Sequence, residues 1–276
     1  MDIYAEIEQF YESVQTEKSV IGKSLFGRKI FACKVGEGAP VGIAQYAMHG
    51  REFITAKLAV THFLRGVCKG SVWLVPLVNP DGALLSQVGL ESVKNINAKA
   101  HLLMLNEGNK DFSQWKANGR GVDLNVNFPA LWGMGGKNVR VAGAENYIGK
   151  RPFSEPETMA LRDFTRKINP DYTVSYHTKG EEIYWYFYQT EKARARDERL
   201  ARALSLSTGY PLAFAEGSAG GYKAWCISRF GIPAFTIEAG ADTLKHPIRK
   251  EGVEDILTRN QNALFDLSAA YGNEKT

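Results

Sequence analysis

Four residues of this sequence stand where apolar runs stop, and together they could carry one reaction. His49 and Glu52 lie three apart in AMHGREF (Ala47 to Phe53), His177 closes TVSYH, and Glu238 closes AFTIE. Zinc in a hydrolytic site takes three nitrogen or carboxylate ligands and leaves a fourth position for water. His49, Glu52 and His177 would supply that set, because two side chains at a strand-to-helix turn can aim at one point while the third arrives from a neighbouring strand. Water in such a site falls from a pKa near 15.7 to about 7, and a carboxylate that is not a ligand, here Glu238, can take its proton. Plainer readings stay open on these residues alone. An HxxE pair is also a polar turn, and a histidine at a strand end is also a hydrogen-bonded core residue. A glutamate after an apolar strand is harder to explain that way, since burying it unpaired is costly.

The elements that must position these residues read as an alternation of strands and helices. GRKIFACKV and PVGIAQYAMHG are two strands joined by a Gly-rich turn, and an apolar stripe from Glu52 onward (Phe53, Ala56, Ala59, Val60, Phe63, Leu64) is a helix. SVWLVPLVNPDG is a buried strand ended by Pro-Asp-Gly turn chemistry, and SEPE opens a helix that stops before Asn-Pro. YTVSYHT, the aromatic run IYWYFYQ and GIPAFTIEAG read as further strands, while ILTRNQNALFDLSAAYG is a closing amphipathic helix. The fold class is therefore α/β: residues 1–276 form a single domain built on a mixed, largely parallel sheet with helices on both faces. In such sheets ligands gather beyond the carboxyl ends of strands, which is where the four residues fall. Between Leu84 and Gly149 the pattern loosens into polar, Gly- and Asn-rich sequence, and a loop region of that length is usually functional or disordered.

The order of motifs resembles the zinc carboxypeptidase family over nearly the whole chain. HGREF resembles its first metal motif, NPDG the loop after the next core strand, GRGVDLNVNF its substrate-binding GVDLNRNF segment, SEPET a helix start, SYHTKG the third ligand and FTIEAG the strand with its catalytic glutamate. The resemblance implies a zinc carboxypeptidase-like fold and one zinc ion on His49, Glu52 and His177, with Glu238 as general base and acid. It also implies a cation for the oxyanion of the tetrahedral intermediate. In QWKANGRGVDLN that cation is Lys116 by order, or Arg120, which the forked guanidinium favours; a surface charge on a long loop is the plain alternative.

One departure bears on the substrate. Exopeptidases of the family carry arginine after the asparagine of GVDLN to clamp a terminal carboxylate, whereas here the pair is Asn125-Val126. Valine cannot bind a carboxylate, so Asn125 is left to position the substrate. WKANGRGVDLN, FPALW and GYKAWCISRFGIPAFTIE resemble a bacterial branch that cuts wall peptides between γ-D-glutamate and a diamino acid, the murein peptide amidases and γ-D-glutamyl-L-diamino acid endopeptidases. Lys223, two residues before Trp225, falls at the family's side-chain pocket, where it would favour the second carboxylate of meso-diaminopimelate; otherwise it is a solvated lysine. Counting back from Trp225 to the family's catalytic tyrosine reaches Glu216, and Tyr222 is the nearest tyrosine, so Tyr222 joins the candidate substrate-binding residues. The aromatic run Tyr184 to Phe187 reads as sheet core before cleft lining, and His62, His101 and His246 as structural or exposed.

Composition sets the limits. With 44% hydrophobic and 23% charged residues the chain is an ordinary globular protein. Its net charge of +4 is not concentrated: EKARARDERLARA mixes both signs at helical spacing, a solvated face, so no nucleic-acid partner is expected. Cys33, Cys68 and Cys226 are odd in number and widely spaced, which argues for reduced thiols. No apolar stretch reaches the roughly 20 residues of a membrane span, and the start, MDIYAEIEQFYESVQ, is acidic and amphipathic. The expectation is a cytoplasmic enzyme acting on a small soluble muropeptide. The competing readings are a conventional metallocarboxypeptidase, an acylamino-acid deacylase on the same scaffold, and a non-catalytic muropeptide-binding protein.

Overall fold

A computed structural model describes residues 1–214 and 217–272. Its strands are β1 (Lys18–Lys23), β2 (Lys29–Gly36), β3 (Val41–Tyr46), β4 (Ser71–Val75), β5 (Tyr172–His177), β6 (Glu182–Tyr184), β7 (Leu212–Ala213) and β8 (Ala234–Glu238). They form one sheet in the order β1-β2-β4-β3-β5-β8-β6-β7. The centre, β4-β3-β5-β8, is parallel; β2 and β6 join it antiparallel, β1 pairs antiparallel with β2, and β7 pairs parallel with β6. Parallel strands buried on both faces read as continuous apolar runs, which is why every residue of β4 and β5 is buried.

The helices are α1 (Ile3–Ser13), α2 (Thr55–Arg65), α3 (Pro80–Val88), α4 (Ile96–Leu105), α5 (Pro156–Ile168), α6 (Glu191–Thr208), α7 (Tyr222–Phe230), α8 (Val253–Asn260) and α9 (Ala263–Gly272). Strand alternation sends Tyr46, Val174, Phe235 and Ile237 to one face, where Leu58 of α2, Leu200 of α6, Ile256 of α8 and Leu264 of α9 cover them. Ile43, Trp73 and Ala234 point the other way, onto Leu161 and Phe164 of α5 and Tyr222 and Trp225 of α7. The charged run of α6 carries its mixed signs on one helix, and among the described residues no helix is long and apolar enough to cross a membrane. Cys33 and Cys226 are buried free thiols, and Cys68 is an exposed one.

Three local readings differ from the sequence expectation. NPDG does not turn the chain; it starts α3, because the Asn79 side chain accepts from Gly82 N at 2.9 Å and Pro80 sits in the first turn, where its missing N–H is harmless. IYWYFYQ yields only the short β6, after which Trp185 turns into the core and Phe187 toward α7. The loosened region 84–149 contains α4 before a largely irregular stretch from 106 to 149 that is held by side-chain and backbone hydrogen bonds.

Asn118 is the hub of that stretch. Its Oδ1 accepts from Arg120 N (3.0 Å) and Val122 N (3.1 Å), and its Nδ2 donates to Glu155 (2.9 Å) and Glu157 (3.1 Å). Gly50 N donates to the Lys116 carbonyl at 2.9 Å, an approach only glycine allows, since a Cβ there would collide with the carbonyl oxygens of Gly82 and Trp115. The loop is thereby fixed against the start of the metal-motif helix.

Two buried titratable groups give folding stability opposing pH dependences. His62 is enclosed between Tyr46 Oη (2.7 Å) and the Asn260 carbonyl (2.8 Å), and burial pulls its pKa down from 6.5 to about 4. Between those values the unfolded chain binds a proton that the folded chain does not, so this group makes stability rise with pH. Burial pushes the Glu157 carboxyl up from 4.5 to about 7, so there the folded chain holds the extra proton and stability falls as pH rises through that window. Each amounts to about 3 kcal/mol over its full window. Between pH 4.5 and 6.5, Glu157→Gln is expected to make the slope of stability against pH more positive than in the wild type, and His62→Gln to make it more negative. Urea unfolding at both pH values checks this, and equal slopes in all three chains would disprove it.

Candidate metal centre and cleft

The three proposed ligands meet at the carboxyl ends of the central strands. His49 follows β3, Glu52 ends the short 3-10 turn Gly50–Glu52 before α2, and His177 is the last residue of β5. His49 Nδ1 lies 2.9 Å from Glu52 Oε1, His177 Nδ1 lies 2.9 Å from Glu52 Oε2, and the two Nδ1 atoms are 3.1 Å apart. One ligand atom from each residue falls within 4.8 Å of the others, and all three residues are buried. Two imidazole nitrogens turned on each other beside a carboxylate repel unless a cation or a proton sits between them. This His-His-Glu set therefore fits zinc, whose nitrogen and oxygen ligands stand at roughly 2.0–2.2 Å.

The polar groups around the triad are ordered by Asp123. Its Oδ1 is 3.2 Å from His49 Nε2 and its Oδ2 is 2.8 Å from Lys116 Nζ, so one carboxylate orients a metal-ligating ring and holds an ammonium. Burial alone would raise the Asp123 carboxyl, but Lys116 and His49 outweigh it and hold it well below the usual range. Burial likewise works against the charged Lys116, and Asp123 more than compensates, raising its pKa. Glu52 is also held well below its ordinary value, with the two histidines overcoming the effect of burial.

Glu238 ends β8 directly opposite His177 in the parallel register. Burial pushes its carboxyl up to about 7, with His177 pulling the other way and Glu52 adding to the rise. A carboxyl poised there can both take and return a proton near neutral pH. His49, Lys116, Asp123, Asn125, Lys223 and Glu238 all line one cleft of about 650 Å³. A larger groove of about 800 Å³ beyond Phe187 contains no charged side chain, so the chemistry belongs to the smaller cleft.

The other proposed residues separate. Lys223 lies in the cleft wall, almost fully buried, with Nζ donating to the Tyr186 carbonyl at 2.7 Å; burial pulls its pKa down to about 8. Asn125 lines the cleft while its Oδ1 accepts from Tyr222 N at 3.2 Å. Arg120 is not brought to the triad. It lines a separate cavity with Phe26, His101 and Lys150, its Nε 3.8 Å from Glu155, because the two bonds to Asn118 Oδ1 turn the loop and leave Lys116 facing inward. The Tyr222 side chain is also not in the cleft: it is fully buried against Phe128 and Trp225, its hydroxyl 2.8 Å from Thr165 Oγ1. Glu216 lies outside the described residues. Tyr184 and Phe187 line the cleft, whereas Trp185 packs in the core. His62 is buried and structural, His101 is exposed, and His246 Nε2 rests 3.0 Å from Thr178 Oγ1. Sequence reasoning quoted Asp123 inside GVDLN without giving it a role. The available signal was the need of a metal-ligating histidine for a carboxylate on its second nitrogen.

Comparison with known proteins agrees with this geometry. The zinc carboxypeptidase family model matches residues 3–254. The γ-D-glutamyl-L-diamino acid endopeptidase 1 of Lysinibacillus sphaericus is 32% identical over 247 residues, 83% of this chain and 61% of that protein, so the chain spans less than two thirds of the relative's length. Murein peptide amidase A of Escherichia coli K12 is 34% identical over 122 residues, 40% of this chain and 46% of its own. Among solved structures, bovine thrombin-activatable fibrinolysis inhibitor superposes with a TM-score of 0.78 at 19% identity, covering 99% of this chain and 98% of that one. The murein-tripeptide amidase of Escherichia coli O157 gives a TM-score of 0.60 at 22% identity, covering 94% and 95%. With a His-His-Glu cluster at the ends of parallel strands and a family match spanning nearly its full length, the chain belongs to the zinc carboxypeptidase family.

Proposed function

We propose that this chain hydrolyses the amide bond between γ-D-glutamate and a diamino acid, meso-diaminopimelate, in small cell-wall muropeptides. The observation that carries the reading is Lys223, a buried ammonium in the wall of the metal cleft with no carboxylate partner among the described residues. With a pKa near 8 it is mostly charged at neutral pH, and a substrate with a second carboxylate supplies the partner that a plain apolar residue lacks. Val126, where a terminal-carboxylate clamp would stand, argues against ordinary C-terminal residues. The name of the Lysinibacillus relative points to the same bond.

His49, Glu52 and His177 would hold zinc, which when bound polarises the scissile carbonyl and makes water acidic enough to attack near neutral pH. Glu238 accepts the proton of the attacking water at its carboxylate and delivers it to the leaving amine nitrogen. Lys116, kept charged by Asp123, faces the oxygen on which negative charge develops. Asn125 has its carbonyl occupied by Tyr222 N, which leaves its amide N–H groups for the substrate. Release of diaminopimelate from a purified γ-D-glutamyl-diaminopimelate peptide by the zinc-loaded chain is the expected result. Cleavage of an ordinary C-terminal residue or an acylamino acid, with no diaminopimelate released, would overturn the reading.

A further inference from the structure

We propose that the glycine-rich loop 133–138 forms a second carboxylate subsite at the cleft wall, in which the Lys137 ammonium and the Asn138 side-chain amide receive the carboxylate adjacent to the scissile bond. This rests on the diamino acid reading above and says where that substrate's other anionic group goes.

The cleft contains a charge imbalance that the metal chemistry does not use. Lys116 is engaged by Asp123, and Lys223 lies deep beside the Tyr186 carbonyl. Lys137 also lines this cleft, is exposed, and has no ion-pair partner among the described residues. Beside it, Asn138 lines the cleft, and its Nδ2 is closed off from solvent with no hydrogen-bond partner, so it meets a ligand by turning toward the cleft. A buried amide donor left unpaired is unfavourable, and an acceptor brought in by a ligand removes that penalty. An ammonium and an amide on consecutive residues offer a carboxylate one charge-assisted and one neutral hydrogen bond.

The loop is also fixed relative to the triad. Gly136 N donates to the Gly217 carbonyl at 3.0 Å, and Val139 N donates to the Asn146 carbonyl at 3.0 Å. Asn146 N in turn donates to Asp123 Oδ2 at 3.3 Å, and Asn146 Oδ1 accepts from Lys116 at 3.5 Å. Two residues thus connect the loop to the carboxylate that orients His49. A Cβ at Gly135 would stand 2.8 Å from Asn138 Oδ1, so a side chain there would displace the amide. Diaminopimelate leaves with two carboxylates, and the cleft offers two cations outside the oxyanion position. Lys223 takes the distal group and Lys137 the one next to the broken bond.

The test compares a γ-D-glutamyl-diaminopimelate peptide whose carboxylate next to the scissile nitrogen is free with the same peptide bearing a carboxamide there. Lys137→Met is expected to raise KM for the free acid about tenfold or more, the size of one charge-assisted hydrogen bond, with kcat nearly unchanged. KM for the carboxamide should not move, and Lys137→Arg should restore most of the loss. Calorimetry with diaminopimelate itself should show the same weakening in Lys137→Met and in Asn138→Ala. A wild-type chain active on both peptides, with Lys137→Met equal to it or impaired equally on both, would overturn the subsite alone. A wild-type chain that releases diaminopimelate from neither peptide would overturn the functional reading, and the subsite with it. Unchanged melting temperatures exclude misfolding as the cause of any loss.

Discussion

Glu238→Gln is expected to lower kcat on a γ-D-glutamyl-diaminopimelate peptide by roughly 10²- to 10⁴-fold, the usual contribution of a positioned proton carrier. The substitution preserves shape and one hydrogen-bonding oxygen, so peptide affinity and zinc content should stay near wild type. What it removes is the ability to take a proton from water and return it to the leaving nitrogen. Glu238 suits that task because burial brings its carboxyl to about 7, where either protonation state is within reach at neutral pH. Its place opposite His177 puts it beside the ligand set without being part of it. The measurement is steady-state kinetics paired with calorimetric binding of the same peptide. Normal binding with turnover within tenfold of wild type would remove Glu238 from the proton path.

The second large effect concerns the metal. Chelation is expected to abolish peptide cleavage and lower the melting temperature, and stoichiometric zinc to restore both. His49, Glu52 and His177 face one another at 2.9–3.1 Å in a buried site, where a cation between them relieves the repulsion of their lone pairs. Free zinc at 1,000 times its dissociation constant should add about 4 kcal/mol to unfolding free energy if it binds only the folded chain. His177→Ala should lose both the activity and the zinc-dependent stabilisation, which separates ligation from a general effect of chelator. A melting curve indifferent to zinc, in a chain that stays active after dialysis against chelator, would refute the assignment.

The strand ends were readable because physics writes them plainly. β-branched and aromatic runs fix β3, β5 and β8, and a histidine or glutamate ending such a run has no apolar reason to be there. NPDG shows where local chemistry is ambiguous: Asn, Pro and Gly serve a turn and a capped helix start equally, and packing of α3 against the metal-motif turn decided between them. Region 106–149 was the least legible, since side-chain and backbone hydrogen bonds rather than periodicity hold it. Lys116 and Arg120 are both cations four residues apart on one loop, and the bonds that Asn118 and the backbone of Lys116 make to distant segments set their different directions. The forked guanidinium made Arg120 attractive on chemistry alone, yet the chain geometry turns it away from the triad. Tyr222 was misplaced for a related reason: its position near the cleft is real, but its ring follows the inner face of α7 into the core. Lys137 and Asn138 carry no motif at all, and their placement comes from Gly136 and Val139 bonding to distant segments.

Asp123 is shared between two neighbours, with one oxygen on His49 and the other on Lys116. A shared carboxylate makes the two sides communicate. An anion that draws Lys116 away from Asp123 changes the electron density this carboxylate lends to the His49 ring, and so the grip of the ligand set on its ion. Thermodynamic reciprocity then requires zinc to alter affinity for that anion by the same factor. Whatever a bound anion does to the hold on zinc, zinc would do equally to the hold on that anion, with a single buried side chain as the link.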